Sequence, residues 1–391
     1  MADSTIAIIP ARGGSKGVSD KNLRHVGGIP LLVRTITALR HSSQVASVFV
    51  TTDSISIARL ASAYDATVIM RPSNLSTDSA SSETALMHAI EEIEKLGLQP
   101  TSILFAQCTS PFIETVEIDG VISLLGRYDS AFTVTKNHAF IWGLSEEGVA
   151  IGINHKSNER LPRQLLPIEF RETGALYAFK TDGFKAARHR FFGSIGMFEV
   201  PSIRSMEIDD LSDLSIANQL ATISLNVPTP HILPNIKAVV LSSDGVAKND
   251  LVVLNENGSE YDVCSTTDVQ GMQKLKDAGF QLLILSKERN RVLSTCGIKL
   301  DIEVIQECDD KFVRLSEWLN KHLLLPDQVI YMGNDVSDRG CMDYVGLSVA
   351  PGDAHSAVDT ATMWKMTAKG GYGAISELSD ELLLHNSISL G

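Results

Sequence analysis

Hydrophobic positions along the 391-residue chain fall into short apolar runs separated by stretches in which apolar residues return at helical spacing. TIAIIPA and SVFVTTD are β-rich runs, and between them IPLLVRTITALRHS places Pro30 at a helix start. ATVIMRP and SILFAQCTSP read as further strands, separated by SSETALMHAIEEIEKLG, where Leu86, Ile90 and Ile93 share one helical face. This repetition predicts an α/β fold with a mostly parallel sheet covered by helices, whose ligands sit where strands end. From about 135 to 170 the regularity is lost in HAFIW and HKSNERLPRQLLP, an excursion that covers the site or meets a partner subunit. NVPTPHILPN, with three prolines in ten residues, predicts an extended linker over 227–235. Beyond it IKAVVLSSDG, FQLLILSKE, IEVIQE and QVIYMGNDVSD restart the alternation, so we expect one domain over 1–226 and a second α/β domain over 236–391.

Composition adds exclusions. With 44% hydrophobic and 21% charged residues the chain is an ordinary globular protein, and no apolar run approaches the roughly 18 residues that a membrane span needs. The opening MADSTIAIIPARGG has no basic segment leading into a long apolar core, which predicts no secretory signal. Five cysteines without short paired spacing argue against a zinc site or a disulfide framework and favour a cytoplasmic location. A net charge of −13 excludes non-specific nucleic-acid binding, so an anionic substrate has to meet a local cluster of cations.

That cluster is legible in IIPARGGSKGVSDKNL. Gly13, Gly14, Ser15 and Gly17 allow a tight turn after a strand, with amides pointing at one spot, while Arg12, Lys16 and Lys21 bring positive charge. The residues read as a triphosphate cradle, distinct from a P-loop because no Gly-Lys-Ser/Thr follows; a flexible basic loop is the other reading.

PARGGSKG followed by KNL resembles the opening motif of the acylneuraminate (CMP-sialic acid) cytidylyltransferases, and four later segments are similar to that family in the same order: RPSNLSTDSASS, QCTSP, RQLLP with RETGALY, and SMEIDDLSDL. The resemblance covers about residues 5–223 and implies a nucleotide-diphospho-sugar-transferase-like, Rossmann-like mixed sheet. It implies CTP held by Arg12, Gly13, Gly14, Ser15, Lys16, Lys21, Asn22, Arg71, Ser79, Ala80 and Ser82, although Ser79 to Ser82 equally suit a helix cap. It implies a nine-carbon keto acid held by Gln107, Arg163, Gln164 and Arg171, whose guanidinium groups suit a carboxylate, with Tyr177, Phe191 and Phe192 lining the sugar pocket. Were 205–209 a strand, Glu207 and Asp209 would share a face and seat Mg²⁺, while Asp209 or Asp210 could instead cap the next helix. The implied reaction is attack of the anomeric hydroxyl on the α-phosphate of CTP with loss of pyrophosphate, with Arg12, Lys16, Lys21 and Asp209 as catalytic residues. Cys108, Phe112, Ile113 and Trp142 depart from the family pattern, leaving open a legionaminate-, pseudaminate- or KDN-type acid. The family also implies a homodimer formed through this domain.

From about 236 to 384 the chain resembles the haloacid-dehalogenase-like phosphatases that act on 3-deoxy-octulosonate 8-phosphate, through LILSKERN, DDKFVRLSEWL, VIYMGNDVSDRGCMDYVGLSVAPGDAH and GGYGAISEL. That family opens with Asp-x-Asp-Gly, whose first Asp is the nucleophile. Here Ser242 holds that place and Asp244 the second, and Asn334 precedes Asp335 in the later acidic loop. Ser286 and Lys311 resemble the family's phosphate contacts. A neutral serine is a poor nucleophile and a poor metal ligand, so the expectation is a pseudo-phosphatase that assembles dimers into a tetramer. The alternative is a bifunctional enzyme with residual action on a sugar-acid 9-phosphate.

Overall fold

In the computed structural model the alternating pattern becomes two sheets; it describes residues 5–14, 18–72, 75–76, 81–159, 161–223, 236–249, 251, 253–254, 256–257, 260–261 and 263–388. The expected linker, 227–235, lies outside the described residues. The first half runs β1 (Thr5–Pro10), β2 (His25–Val26), β3 (Ile29–Pro30), α1 (Leu31–Arg40), β4 (Val45–Thr52), α2 (Ile55–Ala63), β5 (Thr67–Met70), α3 (Ser82–Lys95), β6 (Ser102–Ala106) and α4 (Thr115–Ser123). It continues through β7 (Ser130–Asn137), β8 (Trp142–Leu144), β9 (Ala150–Gly152), β10 (Glu169–Lys180), α5 (Thr181–Ala187), β11 (Ile195–Glu199) and α6 (Leu211–Ile223).

Seven of these strands form one sheet in the order β11-β7-β10-β6-β1-β4-β5, parallel except that β10 runs antiparallel to both of its neighbours. Both faces are covered, so β1 is apolar from Ile6 to Ile9: Ile6 and Ile8 meet Leu86, Ile90 and Ile93 of α3, while Ala7 and Ile9 join the cluster that holds Leu32 and Ile36 of α1. The excursion carries the β8–β9 hairpin, which leaves Ile141, Trp142, Leu144, Val149, Ile151 and Ile153 exposed.

The second half runs β12 (Ala238–Ser242), β13 (Val253–Leu254), β14 (Glu260–Tyr261), α7 (Thr266–Asp277), β15 (Gln281–Leu285), α8 (Arg291–Leu300), β16 (Glu303–Ile305) and α9 (Lys311–Lys321). It ends with β17 (Val329–Met332), α10 (Arg339–Met342), β18 (Leu347–Ala350), β19 (Trp364–Lys365) and α11 (Ala374–Ile388). Its six-stranded sheet is parallel throughout, in the order β16-β15-β12-β17-β18-β19.

The edge strand of this second sheet touches the β2–β3 turn of the first half. Lys365 N–H donates to Gly28 O at 2.8 Å. Gly28 has φ 78°, and a Cβ there would stand 2.3 Å from Lys365 O, so only glycine permits this approach. Beside it His25 Nε2 lies 3.0 Å from Thr362 O and Arg24 pairs with Asp359 at 3.5 Å. Burial, helped by the Lys365 ammonium, pushes the His25 imidazole down to about 4, so the ring sits neutral in the contact at neutral pH.

Candidate active site

The carboxyl ends of β1, β4, β5 and β6 converge, and the glycine-rich turn leaves the end of β1. Gly14 takes a left-handed conformation, φ 70°, which a side chain would strain. The Gly13 N–H donates to Asp53 Oδ1 at 2.9 Å, tying the turn to the end of β4. That amide is therefore spent on Asp53, against the expectation that it points at phosphate. The Asn22 amide donates to Arg12 O at 3.1 Å, so Asn22 braces the turn from behind. Ser15, Lys16 and Gly17 lie outside the described residues.

A single 3₁₀ turn, Lys21–Leu23, returns the chain to the sheet and aims Lys21 at the segment before α6. Its ammonium donates to Ile208 O at 2.7 Å and to Asp209 Oδ1 at 3.2 Å. Residues 205–209 are not a strand, contrary to the pattern reading. Ile208 N–H donates to Thr109 O at 2.8 Å, and no ladder continues from that hydrogen bond among the described residues. Alternation survives without the ladder: Ile208 is buried while Glu207 and Asp209 face outward. Asp210 is the helix cap, accepting from Ser212 N–H at 2.7 Å and Asp213 N–H at 3.0 Å, and this leaves the Asp209 carboxylate to Lys21.

Glu207 Oε1 accepts from the Thr109 hydroxyl at 3.3 Å. Burial and then the Asp209 charge raise its carboxyl above the ordinary value, against the pull of Thr109, Lys21 and Arg171. Gly174, at φ 74° in β10, makes room for it: a Cβ there would lie 3.0 Å from Glu207 Oε2. Arg171 from the same strand is held by Nη2 donating to Ser205 Oγ at 3.0 Å. Asp53 and Gly174 are thus parts of the site that the sequence reading did not place. A lone glycine inside a strand was the available signal for Gly174.

At the end of β5, Arg71 is buried and donates from Nε to Ser76 Oγ at 3.0 Å; burial lowers its guanidinium, with Asp53 opposing. Ser79 and Ala80 lie outside the described residues. Ser81, not Ser82, caps α3 by accepting from Thr84 N–H, and Ser82 is the first helical residue. Gln107 donates its N–H to Ala175 O at 3.0 Å, which seats it at the end of β6. Arg163 and Gln164 form a one-turn 3₁₀ segment in the excursion, Arg163–Leu165.

The three aromatic candidates are corrected. Tyr177 is 3% exposed and stacks on Phe105 at 5.3 Å, because strand alternation turns it to the α3 face of the sheet. Phe191 packs edge-on against Phe132 at 4.9 Å in the same cluster. Phe192 lies at the opposite end of the sheet, in a groove with Thr5, Ser102 and Lys180. All three are packing residues. Arg190, unnoticed in the sequence, lies over the Tyr177 ring at 4.6 Å and pairs with Glu83 of α3 at 2.7 Å.

In the second sheet, Ser242 ends β12 and is 1% exposed. Its hydroxyl accepts from Lys311 Nζ at 2.9 Å, and Lys311 also pairs with the fully buried Asp338 at 2.7 Å. Asp338, another residue the sequence reading passed over, accepts from Tyr331 O–H at 2.7 Å and from the amides of Asn334 and Asp335 at 3.0 and 3.2 Å. Asp335 caps the turn that follows it, Val336–Asp338. Asp244 pairs with Lys248 at 2.8 Å; burial works to raise its carboxyl, but Lys248, Ser243 and Lys311 together hold it below the ordinary value. Ser286 is buried, its N–H donating to Ile305 O at 2.9 Å. Lys311 thus sits inside a closed polar network.

Comparison with known proteins fits both halves. Residues 6–141 match the family described as cytidylyltransferase. The N-acylneuraminate cytidylyltransferase of Oncorhynchus mykiss is 27% identical over 400 aligned residues, covering 97% of this chain and 88% of that protein. The enzyme of the same name from Escherichia coli O18:K1:H7 is 30% identical over 223 residues, covering 56% of this chain and 52% of that one. The 3-deoxy-D-manno-octulosonate 8-phosphate phosphatase of Salmonella typhimurium is 29% identical over 163 residues, covering 40% of this chain and 85% of that one.

Proposed function

The chain is a cytidylyltransferase related along nearly its whole length to the N-acylneuraminate enzymes, and we propose that it joins CTP to a nine-carbon α-keto sugar acid, forming the CMP-sugar and pyrophosphate. The observation that carries this reading is the meeting of Lys21 with Asp209 beside Glu207, next to the glycine turn that ends β1. In this reading Arg12, Lys16 and Lys21 hold the triphosphate, and Arg71, Ser79, Ala80 and Ser82 are the candidates to bind the base. Arg171, oriented by Ser205, takes the sugar carboxylate together with Arg163, and Gln107 and Gln164 take its hydroxyls.

The charge of Asp209 disfavours that of Glu207, a repulsion that a divalent cation relieves. Oxygen ligands of this kind suit Mg²⁺, whose remaining positions water and phosphate oxygens fill. Such a cation, when bound, offsets the charge that builds on the phosphoryl oxygens.

The test is incubation with CTP, Mg²⁺ and a panel of nine-carbon keto acids, N-acetylneuraminate, KDN, legionaminate and pseudaminate among them, while pyrophosphate is followed. Selective release with one acid names the substrate. No release with any of them overturns the assignment.

We place the protein in the cytoplasm, where its five unbridged thiols stay reduced. The apolar row on the β8–β9 hairpin, with Leu144 74% and Ile151 47% exposed, is proposed as the homodimer surface. Leu144→Asp with Ile151→Asp is expected to halve the mass in sedimentation equilibrium; an unchanged mass removes the hairpin from the interface. The second domain is proposed as a pseudo-phosphatase that joins dimers into tetramers.

A further inference from the structure

The five cysteines divide into two groups. Cys108, Cys308 and Cys341 belong to the cores. Burial pushes the Cys108 and Cys341 thiols up to about 12 and raises Cys308 as well, so all three stay protonated. Cys264 and Cys296 are only half-buried, and their sulfurs stand 3.5 Å apart. Cys264 immediately precedes Ser265, the cap of α7, and Cys296 lies within α8 with Lys299 one turn further on. The hydrogen-bonded contact with the Cys264 sulfur, then the Lys299 charge, outweigh burial and hold the Cys296 thiol down to about 7. Cys296 is therefore biased toward the thiolate, with a second sulfur already in contact.

We propose that Cys264 and Cys296 form a redox modification site that closes into a disulfide when the chain meets a peroxide. The Cys296 thiolate attacks one peroxide oxygen and the O–O bond breaks. This gives a sulfenic acid on Cys296 and hydroxide, which takes up a proton as water. Cys264 then loses its proton and attacks the sulfenic sulfur; the S–O bond breaks and a second water leaves. Two thiols and one hydrogen peroxide become one disulfide and two waters. A disulfide needs sulfurs at about 2.0 Å, an approach that side-chain rotation can supply because Cys264 stands outside the helix. The bridge ties α8 to the start of α7. Asp268 of α7 accepts from the amides of Gly373, Ile375 and Ser376, so the restraint reaches the start of α11.

The experiment treats the full chain with hydrogen peroxide, then counts free thiols and maps peptides by mass. The expected result is the loss of two thiols and two hydrogen masses, with a cross-linked peptide containing residues 264 and 296, reversed by a dithiol reductant. Cys264→Ser is expected to leave a sulfenic acid on Cys296 that dimedone captures, and Cys296→Ser to leave Cys264 unreacted at the same dose. Unchanged CTP transfer by both variants shows that they fold. Retention of all five thiols, or oxidation of the wild-type pair without the cross-linked peptide, overturns the proposal.

Discussion

Lys21→Ala is expected to lower pyrophosphate release from CTP by about a hundred- to a thousandfold, with the fold left intact. The Lys21 side chain is 12% exposed and reaches across the site from the 3₁₀ turn after the glycine loop to Ile208 O and Asp209. An ammonium held in this way offers fixed positive charge where the proposed function puts the triphosphate, and charge already in place stabilises the developing phosphoryl oxygens without reorganisation. Removing it costs the fold little, because its ion-pair partner, Asp209, is 73% exposed and returns to water. Steady-state rates beside a thermal unfolding curve separate the two effects. A variant with near-normal turnover would place the phosphates elsewhere. Asp209→Ala is expected to do comparable damage, and the double variant little more than either alone, because groups acting on one charge as a unit are not additive.

What the chain reveals without its structure divides along physical lines. Both sheets were legible because a strand buried on two faces reads as an unbroken apolar run, as in TIAIIP and AVVLS. Lys21, Glu207 and Asp209 were singled out mainly by the family resemblance of KNL and SMEIDDLSDL. Their geometry was not legible: 205–209 has the alternation of a strand, yet it meets Thr109 through one backbone hydrogen bond instead of a ladder, and ladder formation depends on a neighbour that pattern alone does not supply. Asp53 grips Gly13 across 40 positions of sequence, a contact that leaves no local trace. Tyr177 misled because an aromatic residue in a matched motif suits a sugar pocket, while the register of β10 against β6, Tyr177 beside Phe105, turns it into the core. The touch of β19 on the β2–β3 turn was equally hidden. Its only mark is Gly28, whose glycine reads as an ordinary turn residue until Lys365 O is seen to occupy the space of a Cβ.

Ser242 poses the remaining question, whether the second domain still offers a phosphate pocket, and Lys311 answers it through stability. In a working site of this kind a lysine at that position meets substrate; here it is 5% exposed and bonded to Ser242 and to an Asp338 that has no exposure at all. Removing one partner of a buried ion pair leaves the other charged and uncompensated, which costs about 3–5 kcal/mol. Lys311→Met is therefore expected to lower the unfolding transition of the second domain by roughly 10 °C, since about 1 kcal/mol moves a domain of this size by about 2–4 °C. Pairing it with Asp338→Leu should recover much of the loss, because the orphaned charge is then gone as well. Transfer of CMP by the folded protein should be unaffected by either change. A Lys311→Met variant that melts with the parent would mean that Asp338 finds water without its lysine. The pocket would then be open to a ligand, and the proposal of a retired phosphatase would lose the closed network it rests on.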